Sequence, residues 1–354
     1  MKQMIYCATL ISALCLVSCG NSTTETNANS IKYTLEVGAD KTFPLDDETA
    51  FDGIDGKYVA IDGKEYYTFF NRENHSLYFY DYQSSELEHV TKMDKEGPNG
   101  VENPYYYLDF KVQDFDNIFV NALKFFYRIN KEGKVLDKYT EDGDTFNDPD
   151  IYLDQATVFK NGKMYLGMGM NVPAKGDTNF LRAVFDFKSG KITEKYIDER
   201  EVMPEYEIKR DRLEEMAKSG GVMNMNIDFV GDEKQLVAAT AIGDSLHFFE
   251  DYQLTGTYYA GDPDIATANL DSWFSKTKIE TFEGGGVSMG PNPVQPAFYT
   301  DLLISSDEKT IYRILIHGTR GVIREGQEDE IPKVFGASLI VFDVDTKTST
   351  SLEL

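Results

Sequence analysis

From Tyr33 onward, apolar and aromatic residues recur in short runs, alternating or continuous, each closed by Asp, Asn, Gly or Lys. Runs of this length rich in Tyr, Phe, Val and Ile and bounded by turn formers predict β-strands. They fall into groups of four. The first group is Lys57–Ile61, Tyr66–Phe70, Leu77–Asp81 and Leu87–Thr91, and the second Tyr106–Val112, Ile118–Asn121, Phe125–Asn130 and Val135–Tyr139. The third is Ala156–Lys160, Met164–Met168, Leu181–Phe187 and Ile192–Ile197, and the fourth Ile227–Val230, Leu236–Ile242, Leu246–Asp251 and Thr255–Tyr259. The last is Phe298–Ile304, Ile311–His317, Ser338–Val344 and Thr348–Leu354. In every group the third strand ends on an aromatic or aliphatic residue and a polar one: Tyr80-Asp81, Ile129-Asn130, Phe185-Asp186, Phe249-Glu250, Phe342-Asp343.

Four-stranded units recurring every ~40–45 residues or more mark a β-propeller, so the pattern predicts an all-β propeller of four-stranded blades. Five groups are legible, and Tyr33–Val37 with the weakly patterned stretch Gly261–Pro296 leaves room for one or two more. Six blades are expected, with seven the alternative, and an N-terminal strand is expected to close the ring beside a C-terminal one. One insertion departs from the strand pattern. Pro204-Glu205 opens an acidic first turn, and Ile208, Leu213, Met216 and Ala217 run at helical spacing to Gly220-Gly221, which predicts a short helix over about 204–220.

A distant internal repeat supports this reading. Gly97-Pro98-Asn99-Gly100-Val101, followed by Pro104, Tyr106-Tyr107 and Asp109, matches Gly290-Pro291-Asn292-Pro293-Val294, followed by Pro296, Phe298-Tyr299 and Asp301, with a single-residue gap. Each copy precedes the first strand of a group.

The first residues carry an address. Lys2 supplies a positive n-region and Met4 to Val17 an apolar stretch too short to span a bilayer, the shape of a secretory signal covering residues 1–18. Leu16-Val17-Ser18-Cys19-Gly20 resembles the bacterial lipobox, which makes Cys19 the expected mature, lipidated N-terminus. Acyl chains contribute ~0.8 kcal/mol per buried methylene, enough for stable anchoring by two or three chains. Residues 19–32 then form the lipidated end and a Ser/Thr/Asn-rich tether, and 33–354 the single propeller domain. Gly20 stands where an inner-membrane retention signal has Asp, which favours the outer membrane. No acidic run follows Cys19 directly, which favours the periplasmic side over the cell surface. All three cysteines, Cys7, Cys15 and Cys19, lie at or before the cleavage point, so the mature domain has no thiol for disulfides, thiolate metal sites or catalysis.

The chain has 354 residues, with 60 acidic against 35 basic side chains and a formal charge of −25. Phosphate polymers are repelled by such a surface, so nucleic acid is excluded as a partner. Hydrophobic residues at 41% suffice for a packed core and exclude a disordered chain.

Lys95-Glu96-Gly97-Pro98-Asn99-Gly100, with the Asp116-Asn117 hairpin after it and Ile311-Tyr312-Arg313 near the end, resembles an uncharacterised family of bacterial envelope lipoproteins that carry a KEGPNG element. The resemblance implies a propeller-like fold and an envelope location, and supplies no activity. More distantly, the Gly-Pro-x-Gly loop is similar to the turn of six-bladed propellers of the NHL type.

Candidate chemistry is sparse. Gly286-Val287-Ser288-Met289-Gly290 satisfies G-x-S-x-G, with Asp301 and His317 following in hydrolase order. A nucleophile elbow needs a helix leaving the serine, and Pro291 and Pro293 forbid one. Asp142, Asp144, Asn147, Asp148 and Asp150 gather oxygen ligands of the kind Ca²⁺ takes, but Phe146, Asn147 and Leu153 break the EF-hand order. The run reads as a solvated acidic turn, with a Ca²⁺ site at Asp142, Asp144 and Asp148 as the alternative and no other cofactor expected. His75, His89, His247 and His317 show no metal-ligand spacing and are expected at the surface or at strand edges. Pro104-Tyr105-Tyr106-Tyr107 and Tyr258-Tyr259 could stack sugars, though aromatics in strands more often pack between blades.

The loop Lys95, Glu96, Gly97, Pro98, Asn99 and Gly100 links the last strand of one blade to the first of the next. In propellers that connection lies on a face where ligands bind. The expected function is therefore a lipid-anchored envelope propeller that binds a protein or glycan partner through this face without chemistry of its own. The alternative is a glycan-acting hydrolase or lyase using carboxylates of the channel.

Overall fold

Each predicted strand has a counterpart in the computed structural model, which describes residues 36, 38–49, 56–101, 109–122, 125–140, 151–154, 156–168, 179–203, 227–267, 277–281, 287–291, 296–323, 330–334 and 336–354. The strands divide between two compact units, Met1–Thr140 and Glu141–Leu354.

The first unit holds two antiparallel four-stranded meanders. Blade 1 is β1 (Lys57–Ile61), β2 (Lys64–Asn71), β3 (Ser76–Asp81) and β4 (Leu87–Lys92); blade 2 is β5 (Asp109–Asp114), β6 (Asn117–Ala122), β7 (Phe125–Ile129) and β8 (Val135–Thr140). The alternation that predicted these strands buries one face of each blade against the other. Phe70, Leu77 and Phe79 of blade 1 join Phe110, Ile118, Val120 and Tyr127 of blade 2 in one core. The opposite face of blade 1, Phe69, Tyr78 and Tyr80, packs against Phe43, whose ring stacks on Tyr67 at 4.5 Å. Tyr80 and Tyr78 donate their hydroxyls to the Pro44 carbonyl and the Asp46 carboxylate, so the buried rings keep their polar ends satisfied.

The second unit holds three blades. Blade 3 is β9 (Ile151–Tyr152), β10 (Val158–Lys160), β11 (Lys163–Met168), β12 (Phe180–Asp186) and β13 (Lys191–Asp198), with β9 and β10 together forming a broken first strand that pairs with β11. A single helical turn, α1 (Glu199–Val202), follows, opened by a capping box between Asp198 and Glu201. Blade 4 is β14 (Ile227–Gly231), β15 (Gln235–Thr240), β16 (Ser245–Glu250) and β17 (Gln253–Tyr259). A two-stranded hairpin, β18 (Thr277–Thr281) and β19 (Val287–Pro291), precedes blade 5. Blade 5 is β20 (Phe298–Ile304), β21 (Thr310–Ile316), β24 (Ala337–Asp343) and β25 (Thr348–Glu353), with the hairpin β22 (Thr319–Ile323) and β23 (Glu330–Val334) inserted between its second and third strands. Cores lie between consecutive blades: Leu181, Phe229, Leu236 and Phe249 between blades 3 and 4, and Val237, Leu246, Leu302, Leu315 and Phe342 between blades 4 and 5.

Turn chemistry explains the signature at the end of the third strands. Asp81, Asp186 and Asp343 each accept backbone N–H groups two or three residues on, closing the last hairpin of their blades. Those hydrogen bonds hold all three carboxyls below the usual carboxylate range.

Two expectations are corrected. Among the described residues there are five blades, not six or seven: the stretch that left room for another, Gly261–Pro296, contributes the two-stranded hairpin β18–β19, which lacks the strands of a blade, and Tyr33–Val37 lies, but for Glu36, outside the described residues. The histidines are not all peripheral, since His75 is 0% and His247 7% exposed. The expected helix over 204–220, the N-terminal segments 1–18 and 19–32, and Asp142, Asp144 and Asp148 also lie outside the described residues.

Candidate functional site

The Lys95–Gly100 loop is built from beneath. It leaves β4 at Met93, whose N–H donates to the His75 carbonyl, and is pinched shut where the Val101 N–H donates to the Asp94 carbonyl at 2.8 Å. Asp94 and Gly100 form a parallel bridge at the neck. Inside the neck the Gly100 N–H donates to the Gly97 carbonyl, and a side chain at Gly100 would meet the Glu96 backbone at 2.7 Å, which requires glycine there. Below, the buried His75 ring bonds the Val101 carbonyl through Nε2 at 2.8 Å. Burial holds the His75 pKa below its ordinary value, with the Lys95 charge adding to the shift. Val101 is itself fully buried. Lys95, Glu96, Gly97, Pro98 and Asn99, by contrast, are all exposed. The structure thus anchors both ends and leaves the centre to solvent.

A second feature comes from register. Lys57 in β1 lies opposite Thr68, the fifth residue of β2. The same position in blade 2 is Asp109, opposite Asn121, and in blade 4 Asp228, opposite Ala239. In blade 5 that position is Thr300, opposite Ile314, and Asp301 follows it in a bulge. In blade 3 it is Tyr152, opposite Gly167, and Asp154 follows in the break between β9 and β10. Each first strand therefore carries a charged residue at this position or within two residues of it.

These charges are settled differently. In the first unit Lys57 donates to Asp109 at 2.5 Å and to the Phe110 carbonyl. In the second unit Arg182, 1% exposed, donates to Asp154 at 2.8 Å and to the Ala156 carbonyl, and rests its guanidinium on the Phe229 ring. Asp228 and Asp301 have no hydrogen-bond donor or cation at ion-pair distance among the described residues. Burial pushes the Asp228 carboxyl up to about 6; the Asp301 and Asp154 charges add to this and Arg313 opposes it.

Arg313 is the buried cation of this region. It donates to the Thr240 carbonyl at 2.8 Å and lies 3.6 Å over the Tyr299 ring, whose hydroxyl bonds Asp244 at 2.5 Å. Burial pulls its pKa down to about 10, partly offset by Tyr299, Asp244 and Asp228. Burial, then the Arg313 charge, pulls the neighbouring His247 down to about 4.

Of the residues singled out from sequence, the Lys95–Gly100 loop is thus assembled and displayed. The second copy of its motif differs in form, because Gly290-Pro291 ends strand β19. Beyond it a parallel bridge, Thr267 to Ala297, occupies the place that Asp94 and Gly100 hold in the first copy, so the hairpin is an insertion into that connection. Ser288 sits mid-strand opposite Glu280 rather than on a strand-to-helix turn, and His317 Nε2 pairs with the Ser338 hydroxyl at 2.7 Å, so the G-x-S-x-G pattern builds no triad. Among the described residues no group of three His, Cys, Asp or Glu side chains is placed to hold a metal ion. Tyr259 is exposed while Tyr258 packs against Phe248 and Phe342. Sequence reasoning missed the level of charge on the first strands; the repeated aliphatic-Asp or Thr-Asp pairs, Leu108-Asp109, Leu153-Asp154, Ile227-Asp228 and Thr300-Asp301, were the signal for it.

The fold has solved counterparts. A DUF4221 member from Bacteroides vulgatus superposes with a TM-score of 0.56 at 16% identity, over 88% of this chain and 84% of that one. The Neurospora crassa Pan2 WD40 domain gives 0.41 at 7% identity, over 85% and 66% of the two chains. The Cps50 (Swd1) β-propeller domain of Myceliophteria thermophila gives 0.35 at 8%, over 86% and 88%. No curated protein matches the sequence. The architecture is accordingly an all-β propeller of four-stranded blades. Residues 32–226, more than half of the chain, match the family described as a domain of unknown function, DUF4221, and the protein belongs to that family.

Proposed function

We propose that this protein is a lipid-anchored binding module of the cell envelope, tethered through Cys19 to the outer membrane on its periplasmic side, and that it receives a protein or glycan partner on the Lys95–Gly100 loop. The observation that carries the reading is the construction of that loop. Both ends are fixed to buried groups while Lys95, Glu96 and Asn99 are exposed. A preorganised polar display loses little conformational entropy on binding, which is what a recognition loop needs. The lipobox at Leu16 to Cys19 and the polar tether behind it support the address. Pull-down from envelope extracts tests the reading by comparing wild type with a folded Lys95→Ala/Glu96→Ala/Asn99→Ala variant. Loss of a partner from the variant supports it, and equal recovery of every partner refutes it.

One observation favours a second reading, a glycan-acting hydrolase or lyase. Burial, with the Asp301 charge adding to it, raises Asp228 to about 6, as the general acid of a glycosidase is raised. Turnover of a glycan panel that disappears in Asp301→Asn would establish it, and no turnover by wild type would remove it.

A further inference from the structure

The five blades act as internal controls for one another. At or next to that position of the first strand, the charge on Asp109 is met by Lys57 and that on Asp154 by Arg182. At Asp228 and Asp301 no such cation is supplied, although β14 and β20 pack directly together. The cation nearest in effect, Arg313 on β21, is committed elsewhere, to the carbonyls of Thr240, Gly243 and Ala260 and to the Tyr299 ring. Asp301 is also held at a φ of 48° within its bulge, a conformation that costs a non-glycine residue ~1–3 kcal/mol and persists only where its surroundings enforce it. Two acidic residues without a counter-cation thus lie on directly packed strands, one of them where the backbone is already strained.

We infer that Asp228 and Asp301 make the seam between blades 4 and 5 a pH-responsive joint, closed while Asp228 holds its proton and loosened when it releases it. The charged and titratable groups around Asp228 are Asp301 on β20, Arg313 on β21, and Asp154 in the break of blade 3 with its partner Arg182 on β12. Behind Arg313 lie Tyr299, Asp244 and His247. Asp228 holds its proton more tightly in the closed fold than in an open or unfolded chain, where its pKa returns towards 3.8. Closure is therefore favoured below that value and weakens as pH rises through about 6. His247, pulled in the opposite direction, destabilises the fold in acid, so the joint is read by local opening and by single substitutions rather than by global stability.

Amide hydrogen exchange at β14 and β20, corrected for the intrinsic rate and compared at pH 5 and 7.5, tests the joint. Protection in wild type is expected to fall about tenfold or more across that interval, since each unit of pKa difference is worth a factor of ten. It should stay level in Asp228→Asn, and blade 1 should show no change in either protein. Equal behaviour of wild type and Asp228→Asn overturns the proposal. If that variant does not fold, carbon-detected titration of Asp228 decides: a midpoint near 6 in wild type that drops in Asp301→Asn supports the joint, and a midpoint that is ordinary or indifferent to Asp301 overturns it.

Discussion

Replacing Arg313 separates the charge of a buried guanidinium from its shape. The residue is 2% exposed, donates to Thr240 O at 2.8 Å and to Ala260 O and Gly243 O at 3.4 Å, and covers the Tyr299 ring. The fall of its pKa from 12.5 to about 10 means that holding the charge there costs roughly 3 kcal/mol. Methionine removes that cost but forfeits a desolvated cation–π contact of ~2 kcal/mol and leaves the Thr240 carbonyl without its donor at ~1–3 kcal/mol, the two 3.4 Å bonds being long and weak. The terms nearly cancel, so Arg313→Met should cost no more than about 2 kcal/mol. Lysine keeps the buried charge yet has no planar fork to span three carbonyls, and should cost ~3–5 kcal/mol, as any buried charge left uncompensated does. In a protein of this size each kcal/mol lowers Tm by ~2–4 °C. Thermal melts of the two variants side by side give the answer. A lysine variant as stable as wild type, or more stable than the methionine variant, would refute the reasoning.

Four further outcomes follow from the same geometry. Gly133→Ala places a Cβ 1.9 Å from the Lys92 carbonyl at a φ of +74°; the left-handed conformation alone costs ~1–2 kcal/mol, and with the clash the urea midpoint should fall by the equivalent of ~3 kcal/mol. His247, held near 4 by burial, is neutral in the fold and takes a proton first in the unfolded chain, so its contribution is intact above pH 6.5 and lost towards pH 4. Wild type should therefore lose up to ~3 kcal/mol in that window that His247→Gln does not lose, measured by urea melts at each pH. Cys19→Ala should abolish metabolic acyl labelling and release the protein from the membrane fraction; continued membrane attachment with normal processing would contradict the anchor. Millimolar Ca²⁺ should leave Tm unchanged, and a rise lost in Asp144→Ala would instead assign a calcium site to the Asp142, Asp144 and Asp148 turn.

The strands were legible because their signals are local. Period-two alternation and turn formers such as Asp62-Gly63, where both residues adopt positive φ between β1 and β2, sit within a few residues of what they specify. The polar residue closing the third strands reported a real Asx turn at Asp81, Asp186 and Asp343. Blade count was less legible, because the weakly patterned stretch Gly261–Pro296 holds two strands, Thr277–Thr281 and Val287–Pro291, that among the described residues pair only with each other. Buried histidines were hidden by their neighbours: His75 is flanked by Asn74 and Ser76, which reads as a turn, and only the fold brings the Val101 carbonyl to its Nε2. The first-strand charges were hidden by number. With 60 acidic residues in the chain, Asp228 and Asp301 become distinctive only in comparison with Asp109 and Asp154 on the first strands of other blades, whose charges are matched.

Site-specific photo-crosslinking in intact cells tests the binding reading most directly. A photoreactive residue replaces Asn99 in the displayed loop, and in a control protein it replaces Lys188, exposed in the last hairpin of blade 3. A defined adduct at position 99 that is absent at position 188, and absent at 99 when Lys95 and Glu96 are alanine, is the predicted result. No adduct at position 99, or the same adducts at both positions, would contradict a partner-binding role for this loop.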